Sequence, residues 1–169
     1  NGRVRKMICS FPRSSDASAF EGAYRAGKIE LETVPQGTLA ERIRAAGAGI
    51  PGFYTRTAYG TPLADGKETK DIDGRTYILE HAIKADVALI KAHRTDPYGN
   101  LVYNKSARNF APIMCMGAEV TIVQAEKIVE LGTIDPEHIV TPGIFVDRLV
   151  EVMDPQQEEL LVRQGVSYP

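Results

Sequence analysis

The sequence predicts an α/β protein with a Rossmann-like, doubly wound, mostly parallel sheet and a small β-hairpin excursion. Three observations carry this. Short apolar runs alternate with segments of helical periodicity, the signature of an α/β layer. The runs Val87–Ile90 and Val120–Val123 are continuously apolar, as central parallel strands covered on both faces are. Between the first two strand–helix pairs and those runs, residues 50–85 are rich in Gly, Thr and Tyr and carry Asp73-Gly74, a hairpin signal, between 68–72 and 75–80.

Taken in order, residues 4–9 end in Met7-Ile8-Cys9 and read as a buried strand, broken at Phe11-Pro12. Ser14, Ser15 and Asp16 offer N-caps for a helix whose face is Ala17, Phe20, Ala23 and Tyr24, closed by Gly27. Residues 29–34 alternate Ile29, Leu31, Thr33 against Glu30, Glu32, a strand with one wet face. Thr38 and Glu41 have capping-box spacing for the next helix, with Leu39 and Ile43 on its buried side and Arg42 and Arg44 off that stripe. Residues 96–100 (Asp-Pro-Tyr-Gly-Asn) form a turn. Residues 107–118 are expected to be helical with Pro112 near the start, and 125–131 a short helix closed by Gly132. The tail after Asp154-Pro155 is charged and Gln-rich, a surface helix followed by a loose end. There are no repeats and no low-complexity linker.

The 169 residues suffice for one domain of ordinary size, and 43% hydrophobic with 25% charged residues allows a real core. A net charge of −2 supplies no basic field for nucleic acid. Arg3, Arg5 and Lys6 read as a solvated strand edge. Cys9 and Cys115 make neither a disulfide framework nor a thiolate cluster, so a reducing, cytoplasmic compartment is expected. No apolar run approaches the ~20 residues that span a bilayer. The chain opens at Asn1 without an initiator methionine, which leads us to expect a fragment.

Residues 47–52 match G-x-G-x-x-G literally, but they follow a helix and contain Pro51. A dinucleotide loop must follow a strand and open a helix; here a flexible helix exit is expected. Asp71 and Asp73 lack the rest of a calcium loop. His81, His93 and His138 have no ligand-spaced partner, so no metal site is expected. No G-x-S-x-G elbow is present. What remains is a polar set: Gln36, Gly37, Asn100, Asn104, Ser106, Arg108 and Asn109. Gln36-Gly37 lies past a strand end and before a helix, where open α/β sheets bind ligands. An uncharged amide there can donate to an oxyanion or merely satisfy local backbone; the residues leave both readings open. Asn104–Asn109 fits a binding loop or a solvated cap equally, and Arg108 is the cation suited to a substrate carboxylate.

Several segments resemble the first (A, or alpha) subunit of family I coenzyme A transferases: residues 34–49 with Pro-Gln-Gly-Thr-Leu-Ala-Glu-Arg, 53–66, 86–93, 99–101, Lys105-Ser106-Ala107-Arg108-Asn109-Phe110, and 139–145 with Thr141-Pro142-Gly143-Ile144. The likeness implies a doubly wound α/β domain over 1–150, followed by a charged tail over 151–169. It implies transfer of coenzyme A from succinyl-CoA to a 3-oxoacid, through an anhydride and a glutamyl-CoA thioester. The nucleophilic glutamate lies in a Ser-Glu-Asn-Gly motif of the second (B, or beta) subunit, and this chain has none, so no catalytic residue is assigned here. Gln36, Gly37, Asn100, Arg108 and Asn109 are the implied substrate or oxyanion contacts. No metal or cofactor is implied, coenzyme A being a substrate. The implied partner is the second CoA-transferase subunit, in a heterotetramer holding two copies of each, with no nucleic acid and no membrane.

The family's Gly-Gly-Phe segment is not in this chain, so the domain is expected to be N-terminally incomplete. Residues 10–16 and 24–28 resemble 3-oxoadipate transferases of aromatic catabolism, while 50–54 and the tail resemble acetoacetate transferases. A second carboxylate on 3-oxoadipate calls for a cation such as Arg13 or Arg108. A non-catalytic small-molecule-binding α/β domain is the alternative of another class.

Overall fold

A computed structural model of the chain describes residues 2–12, 18–152 and 164. The N-cap candidates Ser14–Asp16, Ala17, Arg13 and the tail beyond residue 152 apart from Gln164 lie outside the described residues. The chain divides into two compact units, residues 1–45 with 49–83, and residues 46–48 with 84–169.

In the first unit, β1 (Lys6–Cys9) pairs in parallel with β2 (Glu30–Thr33), Lys6 opposite Glu30 and Cys9 opposite Thr33. Two strands in parallel need a crossover, and α1 (Ser18–Arg25) supplies it. Phe20 and Tyr24 stack one turn apart with ring centroids 6.0 Å apart. The helix closes with Lys28 N–H donating to Ala23 carbonyl and Gly27 N–H to Tyr24 carbonyl, the paired bonds of a glycine C-cap.

Helix α2 (Gln36–Gly47) corrects two expectations. It starts directly after Pro35, whose carbonyl accepts Leu39 N–H at 2.9 Å. Thr38 is therefore inside the first turn and 5% exposed, not a cap. Glu41 does not reach back to it, because its carboxylate takes the Arg44 guanidinium at 2.9 Å. The buried positions of this helix are Thr38 and Ala45, while Leu39 and Ile43, expected on the buried side, are only half-buried. The Arg42 side chain, expected off the buried side, is only 12% exposed because its guanidinium has partners inside. At the exit, Gly49 takes φ +71 and Ile50 N–H donates to Ala45 carbonyl. This left-handed exit explains the G-x-G-x-x-G match as helix termination.

The hairpin excursion is a three-stranded antiparallel sheet in the order β3 (Gly52–Thr55), β5 (Arg75–His81), β4 (Thr69–Ile72). Asp73 and Gly74 both have positive φ, as a two-residue hairpin turn requires. An ion network binds this sheet to the parallel pair. Lys6 bridges Glu30 and Glu32 at 2.9 and 2.8 Å. Glu32 accepts from Arg42 Nη1 at 2.7 Å, and Arg42 Nε donates to His81 carbonyl at 2.7 Å. Glu80, its side chain 3% exposed, is paired with Lys67 and lies 3.9 Å from Arg42. Glu32 is thereby drawn half inside, so the face expected to be wet is not uniformly so.

The second unit holds a four-stranded sheet, β7-β6-β8-β9. β6 (Ala85–Thr95) and β8 (Ala118–Ile128) run parallel from Ala85 opposite Ala118 to Thr95 opposite Ile128. β9 (Arg148–Glu151) continues parallel to β8, and β7 (Leu101–Val102) is an antiparallel edge. Residues 125–131 are thus not a helix: the ladder to β6 claims them through Ile128, with β9 joining at Ala125, overriding local preference. The helix expected over 107–118 is split into a 3₁₀ turn, Lys105–Arg108, and α3 (Ala111–Met116). Asn109 (φ −2°, ψ −105°) is not helical, and Ala118 pairs with Ala85 in the sheet.

The core is Ala88, Ile90, Ala92, Leu101, Ala111, Cys115 and Val123, bordered by Tyr103, Phe145, Val146 and Leu149. Burial pushes the Cys115 thiol and the Tyr103 phenol up from their ordinary values. Val87 and Leu89 point from the opposite face and are 50% and 73% exposed. The run is therefore covered on one face, not both, among the described residues.

Replacing Arg42 by alanine orphans the His81 carbonyl and leaves Glu80 with one cation. We expect a loss of about 3 kcal/mol, measured by urea unfolding; a loss below about 1 kcal/mol would mean the network is effectively solvated. Hydrogen bonds from Arg42 and then Lys6 hold the Glu32 carboxyl below the usual range. A depressed carboxyl adds stability above its unfolded pKa and loses it as pH falls through the folded value. Glu32→Gln should flatten the acid side of the stability–pH curve below about pH 4.3, the ordinary glutamate value. An unchanged acid slope would contradict this.

Candidate functional site

Both units end parallel strands beside polar loops. In the first, Val34 is 1% exposed and its N–H extends the β1–β2 ladder to Cys9 carbonyl at 3.0 Å. Pro35 then turns the chain straight into α2, placing Gln36 and Gly37, both exposed, at the helix start. The N–H groups ahead of Leu39 have no intrahelical acceptor. The Gln36 carboxamide has no partner among the described residues. The first turn carries no acidic residue. Free N–H groups, an uncommitted amide and the positive helix end together favour a developing anion.

In the second unit the turn after β6 is held by a buried carboxylate. Asp96, 4% exposed, accepts Tyr98 N–H and Asn100 N–H on Oδ1, each at 3.0 Å, and Asn100 Nδ2 on Oδ2 at 2.8 Å. Asn100 Oδ1 accepts Gly143 N–H at 2.9 Å. Asn100 therefore staples two loops, and one amide N–H remains for a ligand. Tyr103 hydroxyl meets Thr141 Oγ1 at 2.7 Å, and Leu101 bridges Thr141. A side chain at Gly143 would collide with the Tyr98 carbonyl oxygen, so the loops touch backbone to backbone.

Arg108 and Asn109 lie on and just after the exposed 3₁₀ turn and have no hydrogen-bond partner among the described residues. Asn104 and Ser106 are exposed in the same segment. Lys105, at φ +51°, is a non-glycine residue in the left-handed region, a conformation that clusters at ligand clamps. Gln36 with Gly37 belong to the first unit, and Asn100, Arg108 and Asn109 to the second.

The remaining candidates resolve into structural roles. His93 Nδ1 lies 2.8 Å from Glu126, His138 Nδ1 lies 3.5 Å from Asp135, and His81 offers its carbonyl to Arg42. Asp71 accepts the Thr76 hydroxyl across the hairpin. Among the described residues no His, Cys, Asp or Glu cluster has metal-binding geometry, and no helix is long and apolar enough to cross a membrane. Sequence reasoning missed Asp96 as the keystone of its turn. The signal was there: an acceptor with N–H groups two and four residues on is an Asx-type turn.

The chain belongs to the coenzyme A transferase family, whose model (coenzyme A transferase) matches residues 1–152. Among relatives, it is 64% identical over 151 residues to the A subunit of 3-oxoadipate CoA-transferase from Pseudomonas putida, a match covering 89% of this chain and 65% of that one. It is 56% identical over 165 residues to the A subunit of succinyl-CoA:3-ketoacid coenzyme A transferase from Xanthomonas campestris pv. campestris strain B100, covering 96% and 67%. The chain thus spans about two thirds of the length of these relatives. The crystal structure of glutaconate coenzyme A-transferase from Acidaminococcus fermentans superposes with a TM-score of 0.77 at 22% identity, covering 89% of this chain and 56% of that one. That likeness bears on the fold alone, and it supports the α/β class expected from sequence.

Gly143→Ala should force the two loops apart. We expect a stability loss of about 1–3 kcal/mol, the range for overpacking, with faster amide exchange at Tyr98 and Asn100. Unchanged protection at those two amides would show that the contact is not needed to hold the turn.

Proposed function

We propose that the chain is the first (A, or alpha) subunit of a transferase that moves coenzyme A from succinyl-CoA to a 3-oxoacid, 3-oxoadipate in the first instance. The observation that carries this is the 64% identity to the A subunit of 3-oxoadipate CoA-transferase from Pseudomonas putida. Residues 1–150 form the transferase domain and 151–169 a charged tail. The working assembly holds two copies of this subunit with two of its partner, in the cytoplasm, consistent with two unpaired cysteines. No metal or other cofactor takes part; coenzyme A is a substrate.

The covalent work belongs to a glutamate of the second subunit. Its carboxylate attacks the thioester carbonyl, an acyl–glutamyl anhydride forms, and coenzyme A leaves as thiolate. The thiolate then attacks the glutamyl carbonyl, releasing succinate and leaving glutamyl-CoA. The acceptor carboxylate reverses these steps and departs as the new thioester. Each attack places negative charge on a carbonyl oxygen. The Gln36 carboxamide and Gly37 N–H are the donors we assign to that oxyanion. Arg108, with Asn109, is assigned to a substrate carboxylate, and the free N–H of Asn100 to a further polar contact.

A second reading, succinyl-CoA transfer to acetoacetate, is favoured by the longer match to the succinyl-CoA:3-ketoacid relative, which reaches 96% of this chain. The complete gene product, mixed with its partner subunit, should transfer coenzyme A from succinyl-CoA to 3-oxoadipate, with neither protein active alone. Preference for acetoacetate would establish the second reading, and inactivity with both acceptors would discard both. In the active mixture, Gln36→Ala should leave assembly intact and lower turnover about 10²–10³-fold, the usual effect of one lost oxyanion donor. Unchanged turnover would leave Gln36 a structural residue.

A further inference from the structure

We infer that Asp96 is a positioning residue for substrate: it holds the Asn100 carboxamide in the one orientation that leaves an N–H donor free at the carboxyl end of β6. This rests on the transferase reading proposed above, which gives that N–H a substrate contact. Asp96 follows Thr95, the last residue of β6, a strand paired on both sides. The crevice outside such strand ends is where open α/β sheets bind ligands.

The turn does not need a carboxylate to close. Its main chain closes it, Gly99 N–H donating to the Asp96 carbonyl at 3.0 Å. The backbone N–H groups of Tyr98 and Asn100 both go to one side-chain oxygen, Oδ1, each at 3.0 Å. An asparagine carbonyl accepts two such bonds equally well, and asparagine builds such turns as readily as aspartate. What only a carboxylate supplies is a second acceptor, Oδ2, which takes Asn100 Nδ2 at 2.8 Å. Asp96 is 4% exposed and has no cation among the described residues. A buried charge is costly unless fully hydrogen-bonded, so the second acceptor is kept for what it holds.

Asn100 is fixed from both ends. Its Oδ1 accepts Gly143 N–H at 2.9 Å while its Nδ2 donates to Asp96. Turning the amide over would set Nδ2 against the Gly143 N–H and Oδ1 against the Asp96 carboxylate, donor facing donor and acceptor facing acceptor. A single orientation survives. In it the second N–H of Nδ2 has no partner among the described residues. A donor held in place before substrate arrives has little freedom left to lose on binding. Asp96 acts on substrate through Asn100 without touching it.

The test uses the complete gene product assembled with the second subunit, assayed for transfer from succinyl-CoA to 3-oxoadipate and to acetoacetate. Asp96→Asn keeps Oδ1 for the turn but sets a second NH2 group against Asn100 Nδ2. With the preferred acceptor, kcat/KM should fall about tenfold, the worth of one hydrogen bond. The swapped pair, Asp96→Asn with Asn100→Asp, gives all four hydrogen bonds a donor and an acceptor again, yet leaves the side chain at position 100 without an N–H. Amide protection at Tyr98 and Gly143 should therefore return toward wild type while kcat/KM stays low. Were Asp96 merely structural, activity would return with protection. Recovery of kcat/KM by the swapped pair to within about twofold of wild type overturns the inference, as does a loss below about twofold in Asp96→Asn alone. If Asp96→Asn loosens the turn itself, the swapped pair decides. With the wild-type complex active, these results leave the transferase reading standing. A wild-type complex inactive with both acceptors overturns that reading and the inference with it.

Discussion

Parallel strand pairing is the constraint on which the remaining structure depends. A parallel ladder cannot be closed by a tight turn, so the chain must leave each strand at its carboxyl end and travel before returning. In the first unit the departure from β2 is made at Pro35 and produces a helix whose opening N–H groups are free. In the second, the departure from β6 is made at Asp96 and folds back as β7. Gln36, Gly37 and Asn100, three of the residues proposed to meet substrate, occur where the chain leaves a parallel strand, whereas Arg108 and Asn109 follow the antiparallel edge β7. The chemistry is placed by the direction of the ladder rather than by any motif of its own.

Two buried carboxylates secure these departures in different ways. Glu80 is neutralised by Lys67 and by the nearby Arg42, an ionic solution whose worth depends on keeping every partner. Asp96 is satisfied by N–H donors of its own turn, a hydrogen-bond solution that needs no cation. The first ties an antiparallel sheet to a parallel pair. The second fixes a short loop to within hydrogen-bond tolerance and lets it carry exposed apolar side chains. Both are positional devices: each carboxylate is committed to its structural partners.

The residues proposed for substrate stand at the surface of this chain. Gln36, Arg108 and Asn109 have polar side chains without partners among the described residues. Tyr98 and Ile144 are apolar and open to water.

The sequence by itself determined the alternation of strands and helices, the Asp73-Gly74 hairpin, the helix exit at Gly49 and the place of Gln36 and Gly37 at a helix start. These depend on local rules: periodicity, turn residues and the backbone freedom of glycine. It misjudged whatever non-local pairing decides. Residues 125–128 carry no strand signature strong enough to outvote a helical reading, yet the β6 ladder holds them extended through Ile128 and β9 joins at Ala125. Arg42 reads as a surface cation until His81 and Glu32, distant in sequence, supply its partners. Asp96 reads as a turn residue until Asn100 carries its hold across to Gly143. Only the tertiary structure decided these, because each depends on groups that chain folding, not sequence proximity, brings within hydrogen-bond distance.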